Sequence, residues 1–205
     1  MIQAVVFDIG WVLIEWSPER IYDKLIGEER RRVFFDAVPL HEANLDVDKG
    51  APFQDTFEVL ADRYPEWAEE IAMWPKHWDA FVSPAIDHSI RLMRALRSKG
   101  IPVFALSNFG DETYDRAQVI YPFFTEFDRR YISGRLKLVK PDPAIYAVVE
   151  RDSGIAPDAL LFTDDGPKNI EAAAARGWQT HLFKGPQGFA DRLVAEGLLT
   201  DRDAQ

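Results

Sequence analysis

The chain reads as an α/β protein, and two observations predict it. Short apolar runs, Ala4–Phe7, Val103–Leu106 and Ala159–Phe162, alternate with stretches of helical spacing. Each run then stops at polar residues: Asp8 after the first, Ser107-Asn108 after the second, Asp164-Asp165 after the third. Runs that are apolar on both faces suit the buried strands of a mostly parallel sheet covered by helices on both sides. At 205 residues the chain suits one medium domain, or a core domain with a small insert.

Ala4–Phe7, with Ile2 ahead of it, is the first strand; Asp8 ends it and Gly10 turns the chain. Trp11–Ile14 is apolar again and predicts a short flap or turn strand. From Ser17 to about Asp79 only helices are expected. Ser17-Pro18-Glu19 is a helix start, followed by Ile21, Tyr22, Leu25 and Ile26 at helical spacing. Glu28–Val38 predicts a second helix, Pro52–Arg63 a third through Phe53, Phe57 and Leu60, and Pro65–Trp78 a fourth through Trp67, Ile71, Trp74 and Trp78. The aromatic stripe at helical spacing reads as the packing core of this block. Residues 16–79 are therefore expected as a helical insert in a core made of 1–15 and 80–205.

Ile86–Leu96 predicts a helix closed by Gly100 just past its end. Val103–Leu106 is the second strand, Tyr114–Ile120 a helix, and Phe124–Phe127 a weak edge strand. Asp142-Pro143 caps and starts the helix through Ile145, Val148 and Val149. After the strand Ala159–Phe162 come a small-residue helix, Lys168–Ala175, a last strand, Gln179–Phe183, and a closing helix, Phe189–Val194.

The formal net charge of -10 repels phosphate backbones, so no nucleic-acid partner is expected. Arg30-Arg31-Arg32 and Arg129-Arg130 are short and lie near acids, which reads as solvated or locally paired surface. There is no cysteine, which excludes disulfides and thiolate chemistry. The start, MIQAVVFD, lacks the pattern of a signal peptide, and no apolar run approaches a membrane span; a cytoplasmic protein is expected. His41, His77, His88 and His181 are scattered without metal-ligand spacing.

In a parallel sheet ligands sit beyond the carboxyl ends of the strands, which is where Asp8, Ser107, Asn108, Asp164 and Asp165 gather. Carboxylates on one rim repel one another unless a cation sits among them, and oxygen donors of this kind suit Mg²⁺. Ser107 and the amide of Asn108 can hold phosphoryl oxygens, and Lys140, fixed just before Pro141-Asp142-Pro143, supplies positive charge; Lys137 competes for that role. Lys168 and Asn169 can order the aspartate loop, with Asn169 bonding to Asp165 or reaching a metal through water. Phosphoryl transfer needs this kind of positioning and electrostatic stabilisation, and a carboxylate nucleophile splits it through an aspartyl-phosphate.

Four segments, VVFDIGWVL, ALSNFG, LKLVKPDPAIY and LLFTDDGPKNIEAAAARG, resemble in order the motifs of the haloacid dehalogenase-like hydrolase superfamily. The resemblance covers nearly the whole chain. It implies a three-layer, Rossmann-like core with a five-stranded sheet in the order 5-4-1-2-3 and a helical cap of the C1 type after strand 1. It implies Asp8 as nucleophile, Mg²⁺ held by Asp8, the carbonyl of Gly10 and Asp165 with Asp164 beside it, and Ser107 and Lys140 at the phosphate. Most phosphatases of the family carry an acid-base aspartate two positions after the nucleophile; here that position is Gly10. A minority branch shares the Asp-x-Gly pattern, including a phosphatase of α-glucose 1-phosphate, so a small phosphorylated metabolite, a sugar phosphate, is the expected partner. Glu15, His41 and Asp46 are candidates to stand in for the missing acid, and Trp16, Trp67, Trp74 and Trp78 to stack on a sugar. The alternatives are a metal-independent dehalogenase, whose uncharged fourth motif this chain lacks, and a non-catalytic binding protein. Monomer and homodimer both remain open.

Overall fold

The computed structural model describes residues 1–205. Strands β1 (Ala4–Phe7), β2 (Val103–Ser107), β3 (Arg129–Ile132), β4 (Leu160–Asp164) and β5 (Gln179–Leu182) form one sheet. Its order is β3-β2-β1-β4-β5, as expected, and every pair is parallel. The three central strands are buried along their whole length because both faces are covered. Register brings the chemistry together: Phe7 lies opposite Ala105 on one side and Thr163 on the other. The next residues up, Asp8, Leu106-Ser107 and Asp164, therefore share one rim.

Five helices follow β1 and make up the cap: α1 (Pro18–Ile26), α2 (Glu28–Ala37), α3 (Leu40–Asp48), α4 (Phe53–Arg63) and α5 (Ala68–Phe81). Helix α3 has no counterpart in the predicted pattern, because its buried positions are only Leu40, Ala43 and Val47 among polar neighbours. The cap is held by aromatic rings. Trp74 stacks on Phe57 at 5.4 Å and meets Phe81 edge-on at 5.2 Å, so the tryptophan stripe is core as expected. Trp78 bridges to the sheet domain through Phe109 at 5.9 Å, and the cap and one face of the sheet share one apolar core. A separate, smaller core of Val6, Phe104, Tyr146, Phe162 and Trp178 fills the other face.

The remaining helices are α6 (Asp87–Ser98), α7 (Asp111–Ile120), α8 (Ser133–Leu136), α9 (Pro143–Ser153), α10 (Pro167–Ala175) and α11 (Pro186–Ala195). Asp142 caps α9 by accepting from the Ala144 N–H at 2.8 Å, whereas Ser17 makes no side-chain cap bond to α1. Trp11–Ile14 is a turn rather than a strand: the Ile9 carbonyl accepts from Leu13 and Ile14 at 2.8 and 3.1 Å. The expected edge strand is displaced. Pro122–Glu126 is a 3-10 turn that buries Phe123 and Phe124, and the strand begins at Arg129. An edge strand pairs on one side only, so Arg129 and Arg130 can start it with their side chains in solvent, and no apolar run announces it. Of the basic runs, Arg30, Arg31 and Arg32 pair with Glu70, Asp23 and Glu28, and Arg129 with Asp152. No helix is long and apolar enough to cross a membrane.

Candidate active site

Asp8 stands at the carboxyl end of β1 and is buried. Three donors converge on its Oδ1: the Ile9 N–H at 2.7 Å, the Ser107 hydroxyl at 2.8 Å and the Lys140 ammonium at 2.8 Å. Oδ2 is left without a protein donor among these bonds. Burial pushes Asp8 up to about 7, with Asp164 adding to the rise and Lys140 and Ser107 opposing it. Lys140 is itself buried and bridges Asp8 to Asp164, whose Oδ2 lies at 2.6 Å. Burial pulls the lysine pKa down, but the two carboxylates outweigh it and raise the value, so the ammonium stays charged.

Asp164 is fully buried and fully bonded: besides Lys140 it accepts from the Gly166 N–H at 2.7 Å and from Asn169 at 2.9 Å. The expected bond from Asn169 to Asp165 is thus corrected, because Asp164, pointing inward from the strand end, takes that donor. Asp165 is exposed at the mouth, and its pKa is raised by desolvation and by Asp164. Oxygen atoms of Asp8, Asp164 and Asp165 lie within 4.8 Å of one another. One lysine against three carboxylates leaves the cluster short of positive charge, and an all-oxygen donor set fits a hard divalent cation such as Mg²⁺.

Asn108, just past β2, has a task besides the one expected. The side chain of Asn108 accepts from the Lys140 N–H at 2.7 Å and donates to the Lys140 carbonyl at 2.9 Å. Its oxygen and one of its two N–H donors fix the lysine's backbone, while the residue also lines the cavity above the rim. Lys137 is exposed, adopts φ 57°, and donates to the Gly50 carbonyl at 2.9 Å, which leaves Lys140 at the carboxylates.

Above this rim lies a cavity of about 190 Å³ lined by Asp8, Gly10, Ser107, Asn108, Lys140, Asp165 and Asn169 from the core side. Trp11, Trp16, Asn44, Asp48 and Trp78 close it from the flap and cap. Of the tryptophans expected near a substrate, Trp16 and Trp78 reach it; Trp74 is buried in the cap core and Trp67 packs against Phe34. The three acid-base candidates lie elsewhere. Glu15 pairs with Arg20 at 2.6 Å, His41 with Glu19 at 3.3 Å and Asp46 with Lys49 at 3.3 Å. The carboxyl that does line the cavity is Asp48, at the end of the helix the sequence did not announce. The spacing of Asn44 and Asp48, four apart on α3, is the one local signal that could have marked them; Asn44 donates to Asp48 Oδ2 at 3.2 Å.

A buried carboxylate at a strand end, held by a hydroxyl and an ammonium under a helical cap, is the centre of this site. The chain belongs to the haloacid dehalogenase-like hydrolases, whose family model matches residues 2–177. It is 26% identical over 208 residues to a D-ribitol-5-phosphate phosphatase of Bacteroides thetaiotaomicron, covering 93% of this chain and 95% of that protein. It is 23% identical to the drimenol cyclase of Aspergillus calidoustus over 89% of this chain, but spans only 34% of that longer protein. A haloacid-dehalogenase-family enzyme of B. thetaiotaomicron, solved with magnesium and inorganic phosphate, shares the fold at a TM-score of 0.68, with 24% identity and coverage of 90% of this chain and 96% of that one.

Proposed function

We propose that the protein is a Mg²⁺-dependent phosphatase that hydrolyses a small phosphate monoester, a sugar phosphate by class, through an aspartyl-phosphate on Asp8. The observation that carries this reading is the meeting of Asp8, Ser107, Lys140 and Asp165 on one cavity. Asp8 attacks phosphorus through Oδ2, since Oδ1 is held by Ser107, Lys140 and the Ile9 N–H. Ser107 and Lys140 then face the phosphoryl oxygens, and Asn108 fixes the lysine in register. Asp8, Asp165 and the Gly10 carbonyl would hold Mg²⁺, which supplies charge neutralisation at those oxygens. Asp164 supports them from behind through Lys140 and Asn169. A cavity of about 190 Å³ is below the usual range for drug-sized ligands, which favours a small metabolite. The rings of Trp11 and Trp16, backed by the buried Trp78, offer surfaces for the apolar side of a sugar. The ribitol-phosphate phosphatase among the relatives supports the same substrate class.

A screen of phosphorylated metabolites with Mg²⁺, repeated with EDTA and with Asp8→Asn, tests the reading. Turnover by the parent that EDTA stops and that Asp8→Asn lacks, with the fold retained, is expected. Halide release from 2-haloacids without metal would instead make it a dehalogenase, and no turnover of either kind a binding protein.

A further inference from the structure

Hydrolysis through a phosphoenzyme moves two protons. The departing alkoxide must gain one, and the water that frees Asp8 must lose one. Gly10 has no side chain for either transfer. Crowding does not impose this, because a Cβ built on Gly10 meets nothing within 4 Å. We propose that Asp48, carried in by the cap, is the general acid and base of this site. The proposal rests on the phosphatase reading above and names the group which that reading lacks.

Elimination within the cavity points to this residue. Only four ionisable side chains line it: Asp8, Asp48, Lys140 and Asp165. Asp8 is the nucleophile, Lys140 is locked between Asp8 and Asp164, and Asp165 belongs to the carboxylate cluster. Asp48 is left, on the opposite wall, with Asn44 as its side-chain partner.

Its position is also fixed. Ser133, at the start of α8, donates to the Asp48 carbonyl at 2.6 Å, and its oxygen accepts from the Phe109 N–H at 2.8 Å. Lys137 holds the Gly50 carbonyl just beyond. Helix α3 sits so close to the loop after β2 that a Cβ at Gly110 would come within 2.5 Å of Val47 Cγ1. These bonds hold the backbone at the end of α3, and the carboxyl, which accepts from Asn44 and the Gly110 N–H, lines the cavity. Burial raises that carboxyl to about 7, with Asp8 adding to the rise and the Gly110 N–H and Lys140 opposing it. Near neutral pH it can therefore serve first as acid and then as base.

The cycle balances. Asp8 Oδ2 bonds to phosphorus as the ester P–O bond breaks, and the Asp48 proton goes to the leaving oxygen to give the alcohol. Water then bonds to phosphorus, its proton returns to Asp48, and the bond to Asp8 breaks to release inorganic phosphate.

The test compares leaving groups in pre-steady-state measurements, with substrate in excess, on Asp48→Asn and Asp48→Ala, with folding checked by thermal unfolding. The substrates are the sugar phosphate that the parent hydrolyses best and p-nitrophenyl phosphate, whose leaving group departs without a proton. The expected result is a loss of about 10²-fold or more on the sugar phosphate. p-Nitrophenol release should stay within about threefold of the parent, as a burst followed by slow turnover while the phosphoenzyme waits for its base. Equal losses on both substrates would show a merely structural residue and overturn the proposal, as would no loss on either. A parent that hydrolyses neither substrate overturns the phosphatase reading itself.

Discussion

The two walls of the cavity are built on opposite plans. On the core wall the charges are buried and cross-linked, with Asp165 alone exposed at the mouth: Lys140 joins Asp8 to Asp164, Ser107 and Asn108 hold the pair, and Asn169 closes the ring. On the cap wall the surroundings are aromatic, and the one carboxyl, Asp48, meets the Asn44 amide and the Gly110 N–H in place of a cation at bonding distance. The contrast teaches that phosphoryl chemistry and proton chemistry are carried by separate stretches of chain. The first is set by strand ends; the second depends on how an inserted helix is seated.

That division can be broken by experiment, most strongly on the core wall. Lys140→Met leaves two buried carboxylates unpaired, so activity should vanish and unfolding free energy should fall by about 3–5 kcal/mol in denaturant titrations. Asp48→Asn should do the reverse: rate on poor leaving groups falls about 10²-fold while stability stays within about 1 kcal/mol. A comparable stability loss in both variants would erase the distinction. Mg²⁺ at about 100 times its Kd should raise stability by about 2.7 kcal/mol in thermal unfolding. Asp165→Asn should remove most of that rise, since Asp165 is the exposed member of the carboxylate cluster. Ser133→Ala removes the hydroxyl between Phe109 and Asp48 and should cost about 1–3 kcal/mol, with kcat lowered more than KM raised. Last, Gly10→Asp meets no steric bar, since a Cβ there finds nothing within 4 Å, and its cost in thermal unfolding should be the repulsion of a further carboxylate beside Asp8, reduced when Mg²⁺ is added. In the Asp48→Asn background the same change should restore part of the turnover on the sugar phosphate.

What could be read from the residues follows the same line between the walls. Strand β1 and strand β4 announce themselves because a central parallel strand is apolar on both faces, and the residue that breaks the run is then exposed to chemistry. Asp8, Ser107, Lys140 and the Asp164-Asp165 pair were visible on that ground and through the ordered motifs. Edge strand β3 was not, since one-sided pairing lets it begin with two arginines. Nor was α3, whose amphipathic pattern is diluted by Glu42, Asn44 and Asp46. The roles of neighbouring polar residues also escaped: whether Asn108 faces a ligand or the backbone of Lys140, and which aspartate receives Asn169, depend on side-chain direction, which spacing does not encode.

The anchoring of α3 has a mechanical consequence. The helix belongs to the cap by sequence, yet Ser133, Lys137 and the close approach at Gly110 tie its end to the sheet domain. Helix α5 is fastened to the sheet domain as well, through Trp78 on Phe109 and Arg116 on the Pro75 carbonyl, so the wall that carries Asp48 is pinned at two helices. Asp48 would keep its distance from the nucleophile through the whole cycle, and its alignment would be settled at folding instead of being rebuilt at every closure.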